Sequence, residues 1–222
     1  MFFAAAARAD DVIDLTLTQP YPSGYTFYNY TPASGPAQSV PANPYPIVLT
    51  DSNNLSLLDD TSALGLCFDL NNPTDVQTAY PGQFVVETSQ PYLESTFLVN
   101  LLNRAGNISA PIALKGEISM AIWQIMWATS TDSENLPFYP DPAAQPYIEE
   151  AAAAVTDGVW TVADSSHYPI FIPDNASSQR FGIILAGTPP VDVVPEPGSL
   201  ALLGAGLVVA GVLGRRRNRR SA

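Results

Sequence analysis

Cysteine and histidine are almost missing: the 222 residues contain one of each, Cys67 and His167. A single cysteine excludes an internal disulfide, so the fold depends on its core, and the thiol needs burial or a chemical task. No His/Cys set has zinc-ligand spacing, and no Gly-rich phosphate loop or dinucleotide fingerprint occurs. The one nucleophile–base pair that composition leaves open is Cys67 with His167, and it requires the fold to join them. His167 sits in the polar run Asp164-Ser165-Ser166-His167-Tyr168, which reads equally as a surface loop. Basic residues are scarce too. Between residues 10 and 194 only Arg104, Lys115 and Arg180 oppose 20 acidic side chains, a formal charge of −17. Nucleic acid is thereby excluded as a partner, because phosphate binding needs clustered Lys and Arg. Such acidity suits solubility, calcium or a cationic surface.

The basic residues missing from the body are gathered at the C-terminus. Arg215, Arg216, Arg217, Arg219 and Arg220 follow a 17-residue uncharged stretch, residues 198 to 214. As a helix that stretch covers about 25 Å at ~1.5 Å per residue, slightly short of a ~30 Å hydrocarbon core. Positive charge beside an apolar span stays cytoplasmic and meets anionic headgroups, which directs the larger N-terminal part outward. Val194-Pro195-Glu196-Pro197-Gly198 precedes the span as an extended segment open to a processing enzyme. Together these features resemble the PEP-CTERM sorting signal of Gram-negative bacteria. The resemblance implies recognition by an exosortase-type membrane enzyme, tethering to membrane lipid through the C-terminal helix, and delivery to the cell surface or matrix, with surface polysaccharide a candidate partner. An ordinary tail anchor is the plainer alternative. At the other end, residues 1 to 9 read as the last part of a secretory signal with its start truncated, and Ala7-Arg8-Ala9 supplies a small-x-small cleavage site.

Residues 12 to 62 are rich in Pro, Tyr, Asn, Ser and Thr and read as short strands with long turns, including residues 25–28 and 47–50. Residues 64–70 and 83–88 read as further strands. Apolar recurrence then predicts helices over 92–104, ended by Gly106, over 112–128, and over 146–157, ended by Gly158. Residues 159–162, 168–172 and 180–185 read as strands again. The expected architecture is therefore α+β: a single exported domain, residues 10–187, of short strands around a three-helix central segment. A Pro-rich linker, 188–194, and one C-terminal transmembrane helix within a sorting region, 195–220, follow.

Leu66-Cys67-Phe68-Asp69-Leu70 and Ala121-Ile122-Trp123 resemble two motifs of the thioester domain of bacterial surface adhesins, and the helix carrying Tyr92, Phe97, Leu98 and Asn100 resembles that family's layout. The resemblance spans residues 60 to 185. It implies a strand cysteine whose sulfur is acylated by a helical glutamine, giving an electrophile for an external amine or hydroxyl. Here the glutamine position is Ser119, which has no acyl group to offer. Gln124 lies five residues further, about 140° around the helix at ~100° per residue. Cys67 then reads as a small buried hydrophobe, and Trp123 and Trp127 as core packing.

Residues 69–75, with Asp69, Asn71, Asn72 and Asp75, offer alternating oxygen ligands but lack the glycine and terminal glutamate of an EF-hand, so a polar turn explains them without metal. The Asn-x-Ser/Thr matches at Asn29, Asn54, Asn107 and Asn175 mark exposed loops. The expected protein is a non-enzymatic exported surface or matrix protein, without cofactor, metal or catalytic residues, whose domain is structural or adhesive. A covalent adhesin using Cys67 and a cysteine hydrolase are the alternatives.

Overall fold

In β1 (Ile13–Leu17) apolar and polar residues alternate, and burial alternates with them: Ile13, Leu15 and Leu17 are buried, Asp14 and Thr16 half-buried. That is the period of a strand with one face on a core. The computed structural model that shows this describes residues 13–18, 27–30, 38–41, 44–51, 61–69, 75, 77–128, 141–175, 178–185 and 188–192. β2 (Phe27–Tyr30) and β3 (Gln38–Pro41) form a separate antiparallel pair. β4 (Tyr45–Asp51), β5 (Thr61–Cys67), β6 (Ala79–Val85), β7 (Ile170–Pro173) and β8 (Phe181–Leu185) join β1 in a closed barrel, order β1-β4-β5-β8-β7-β6, every neighbouring pair antiparallel.

Register carries a row of apolar residues around the wall, buried at Leu17, Ile47 and Ala63 and half-buried at Leu185. Leu17 lies opposite Ile47, Ile47 opposite Ala63, and Ala63 opposite Leu185. A second row brings Cys67 opposite Phe181, Phe181 opposite Phe171, and Phe171 opposite Phe84, with Phe84 and Phe171 edge-to-face at 6.2 Å. Gly82 is required here, because a β-carbon would overlap the Ile172 carbonyl oxygen and lie 2.6 Å from the Phe171 ring.

The chain between β6 and β7 folds as α1 (Gln90–Arg104), α2 (Ile112–Ala128), α3 (Gln145–Thr156) and the short α4 (Val162–Ser165). Helix α1 is central, touching α2, α3, α4 and β8. Its approach explains why β8 is buried on both faces while β1 alternates. Gly182 permits the contact: a β-carbon there would sit 2.6 Å from the Phe68 ring and 3.0 Å from Val99 of α1. Gly106, at φ 93°, ends α1 in the left-handed conformation that glycine adopts without steric cost.

Three expectations are corrected. The α+β arrangement of short strands around a three-helix segment is instead a six-stranded closed barrel with helices packed outside it. Closure depends on pairing residue 63 with 185 and residue 13 with 82, and no local periodicity records such partners. The transmembrane helix is not found: no helix among the described residues is long and apolar enough to cross a membrane, and residues 198–214 lie outside them. Residues 159–162 are not a strand. Asp164 Oδ2 accepts the Thr161 backbone N–H at 2.8 Å, a capping contact that starts α4, while Trp160 is buried beside Phe97 and Tyr168.

Contacts divide the chain into two units, residues 1–191 and 192–222. All the described elements belong to the first.

Candidate functional site

Cys67 closes β5, and the next two residues continue the strand's partnership with the β8 side. The Phe68 N–H donates to the Arg180 carbonyl at 2.9 Å. Asp69 then receives Arg180 in a fork: Nε donates to Oδ2 at 2.8 Å, Nη2 pairs with Oδ1, and the Arg180 backbone N–H reaches Oδ2 at 3.0 Å. Planar guanidinium matches planar carboxylate, which orients both groups. Arg180 also donates to the Tyr92 hydroxyl and lies 5.7 Å from the Tyr92 ring, so α1 is fastened to the same corner. The carboxylate holds the Arg180 pKa above its ordinary value, whereas burial pushes Tyr92 up against the opposing pull of the cation.

The two motif regions do meet. Trp123 Nε1 of α2 donates to the Cys67 carbonyl at 3.0 Å, a buried bond between strand and helix. Ala121 and Ile122 are fully buried beside it in sequence, and Ser119 lies one turn earlier on the stripe that carries Trp123. Ser119 is 1% exposed and its hydroxyl has no hydrogen-bond partner among the described residues. Buried Gln124 likewise has its amide nitrogen unpartnered there.

The Cys67 thiol is 3% exposed and donates to the Asp69 carbonyl at 3.1 Å. Burial, reinforced by the Asp69 charge, pushes its pKa up to about 12, so it is a neutral thiol rather than a nucleophilic thiolate at physiological pH. His167 does not serve it. The ring Nδ1 lies 3.2 Å from the Asp164 carbonyl in its own turn, and no hydrogen bond joins it to Cys67. Asp69 is equally committed, since both carboxylate oxygens face Arg180, and residues 70–74 lie outside the described residues. Among the described residues no group of three or more His, Cys, Asp or Glu side chains could hold a metal ion.

A second polar cluster, not anticipated from sequence as a unit, lies on another part of α1. The Asn100 amide takes both backbone groups of Val191: Nδ2 donates to its carbonyl at 3.1 Å, and its N–H donates to Oδ1 at 2.9 Å. Tyr168 donates to the same Oδ1 at 2.8 Å. Asn103 Nδ2 reaches the Tyr168 hydroxyl at 3.1 Å and the Thr188 carbonyl at 3.2 Å. Residues 188–191, the first part of the Pro-rich stretch, are thus strapped to α1. The signal for this was asparagines three apart on one helical face.

Val194, Pro195, Glu196, Pro197, Gly198 and the five arginines from Arg215 to Arg220 lie outside the described residues. Residues 193–220 match the family described as the PEP-CTERM protein-sorting motif. The motif supports an exported protein processed by an exosortase, with sorting at the membrane. No curated protein and no solved structure matches the chain.

Proposed function

We propose that this is a non-enzymatic exported protein of the cell surface or extracellular matrix, with the barrel and its helices acting as a structural or adhesive domain. The observation that carries the address is the sorting motif at 193–220. Support for a noncovalent domain comes from Cys67: it is buried, protonated, and faced by a helix with Ser119 where an acyl donor is needed. The resemblance to thioester adhesins then concerns a packing arrangement in which the tryptophan holds the cysteine's carbonyl.

A second reading, a covalent adhesin, draws on that same Trp123–Cys67 contact between strand and helix. Intact mass with and without methylamine separates the two. The noncovalent reading expects the plain sequence mass of the processed chain and a free thiol after denaturation. A mass lower by one ammonia, converted by methylamine to a covalent adduct, refutes it. The address is tested separately by replacing Pro195, Glu196 and Pro197 with alanine in a host that carries an exosortase. Loss of the shortened, released form is expected, and unchanged release refutes the sorting reading.

A further inference from the structure

The connection between α1 and α2 differs in charge from the rest of the domain. Residues 95–116 contain no Asp or Glu, yet hold Arg104 and Lys115, two of the three basic residues between 10 and 194. Outside this stretch, residues 10–194 set 20 acidic side chains against Arg180, which is itself paired with Asp69. The exposed positions of the connection include Arg104, Ile108, Pro111 and Ile112. Ile112 is 55% exposed and Ile108 38%, two of the four large hydrophobic side chains exposed among the described residues. The next carboxylate along α2, Glu117, accepts the Tyr147 hydroxyl at 3.1 Å.

The turn that carries the isoleucines is braced from within. Gly106 and Asn107 take φ of 93° and 53°, and the Ser109 and Ala110 N–H groups donate to the Gly106 and Asn107 carbonyls at 3.0 Å. Asn107 Nδ2 donates to Asn103 Oδ1 at 2.8 Å. Lys115, only 2% exposed, reaches back to donate to the Ile108 carbonyl at 3.0 Å. A fixed backbone thus keeps Ile108 and Ile112 in water, where a slack turn would let them fold inward. Single exposed apolar side chains are ordinary, but two on one braced turn beside an exposed arginine suit a partner that accepts both carbon and positive charge.

We infer that the α1–α2 turn is a docking point for an anionic lipid surface: Ile108 and Ile112 enter the headgroup region, Arg104 meets lipid phosphate, and Lys115 braces the turn. Charge selects the occupant. Anionic lipid attracts this turn and repels the acidic remainder of the domain, so contact through this end is favoured over any other. Apolar side chains beside basic ones suit the boundary between headgroups and acyl chains. A second copy fits less well, because two part-exposed isoleucines supply only a small part of the ~1,000 Å² that a specific protein interface buries. So small a contact is weak alone and matters for a chain already held at a membrane, where the effective concentration is high. The sorting motif supplies that circumstance, and the inference rests on the sorting reading for this setting alone.

The test uses the full chain with an environment-sensitive fluorophore on Ser109→Cys, reconstituted into vesicles of anionic or of zwitterionic lipid. Cys67 is buried and stays unlabelled in the folded protein. The same fluorophore on Glu150→Cys, an exposed position of α3, is the reference. In anionic vesicles the label at 109 is expected to shift to shorter wavelength and to be quenched by lipids with spin-labelled headgroups, while the label at 150 does neither. Zwitterionic vesicles should give a smaller response. Ile112→Asp should lower the ratio of docked to undocked label roughly tenfold and Arg104→Gln roughly fivefold, the arginine's share fading in high salt. Aspartate in the first turn of α2 favours the helix, so Ile112→Asp keeps its fold. Equal responses at 109 and 150, or none at either, overturn the inference. A shift that appears without vesicles, grows with protein concentration and is lost in Ile112→Asp puts a second copy on the turn and overturns it too. Processing in an exosortase-bearing host is read separately: its failure refutes the sorting reading and leaves the vesicle result standing.

Discussion

Replacing Gly182 with alanine tests whether the helical layer lies as close to the barrel as the structure places it. The added β-carbon would sit 2.6 and 2.7 Å from two Phe68 ring atoms and 3.0 Å from Val99 Cγ2. Neither neighbour has open space to move into: Phe68 is 1% exposed and Val99 0%. Relief must come from shifting α1 or rotating a buried ring, and overpacking of that kind costs about 1–3 kcal/mol. For a domain of this size each kcal/mol lowers Tm by about 2–4 °C, so a loss of roughly 2–12 °C is expected by circular dichroism. Gly82→Ala should be worse, since the obstacle there includes the Ile172 carbonyl oxygen, which belongs to the ladder itself. Gly158→Ala supplies the control: its φ of 69° imposes strain, but nothing lies within 4 Å of the added carbon, leaving about 1 kcal/mol from the left-handed backbone. Phe68→Leu combined with Gly182→Ala should be less than additive, because shortening the ring clears the clash. A Gly182→Ala protein that melts within 1 °C of the parent would refute the close approach of α1, Phe68 and β8.

Raising the pH should destabilise the fold through Cys67. Below its unfolded value near 9 the thiol is protonated in both states; between 9 and about 12 only the unfolded state releases the proton, so stability falls by up to ~1.4 kcal/mol per pH unit. Urea denaturation at pH 8 to 10.5 should show this slope reduced in Cys67→Ala, and identical slopes would argue that the thiol is accessible to water in the native fold. Trp123→Phe should cost more than Cys67→Ala, because it strands a buried carbonyl at about 1–3 kcal/mol, whereas alanine preserves that carbonyl. The opposite ranking in denaturant midpoints would show that the sulfur, not the carbonyl, is the element in use. Asp69→Asn should lower stability by about 1–2 kcal/mol, moderated by the one-third exposure of Arg180, with the loss shrinking in high salt.

Local signals served the helices well. Helix α2 occupies 112–128 as its apolar recurrence indicates, and α1 stops where Gly106 takes positive φ. The barrel was not legible because its decisive facts are pairings between distant segments. β5 and β8 each read as an apolar strand, but nothing in either run names the other. Residues 159–162 misled for a different reason: Val, Trp and Thr favour strands, while the competing signal was a Thr and an Asp three apart that cap a short helix. The meeting of Cys67 with Trp123 was anticipated only through a family resemblance, since fifty-six positions separate them. Arg180 was visible solely as one of three basic residues between 10 and 194, and its partners Asp69 and Tyr92 required the fold.

The strap illustrates why a Pro-rich stretch is an ambiguous sign. Prolines remove donors and stiffen the chain, which suits a free spacer. The same stiffness presents the remaining backbone groups at fixed spacing, which suits a grip by side chains on a rigid helix. Composition cannot separate these uses; buried amides aimed at the segment can. Here Asn100 and Asn103 turn residues 188–191 from a spacer into the last piece of the domain.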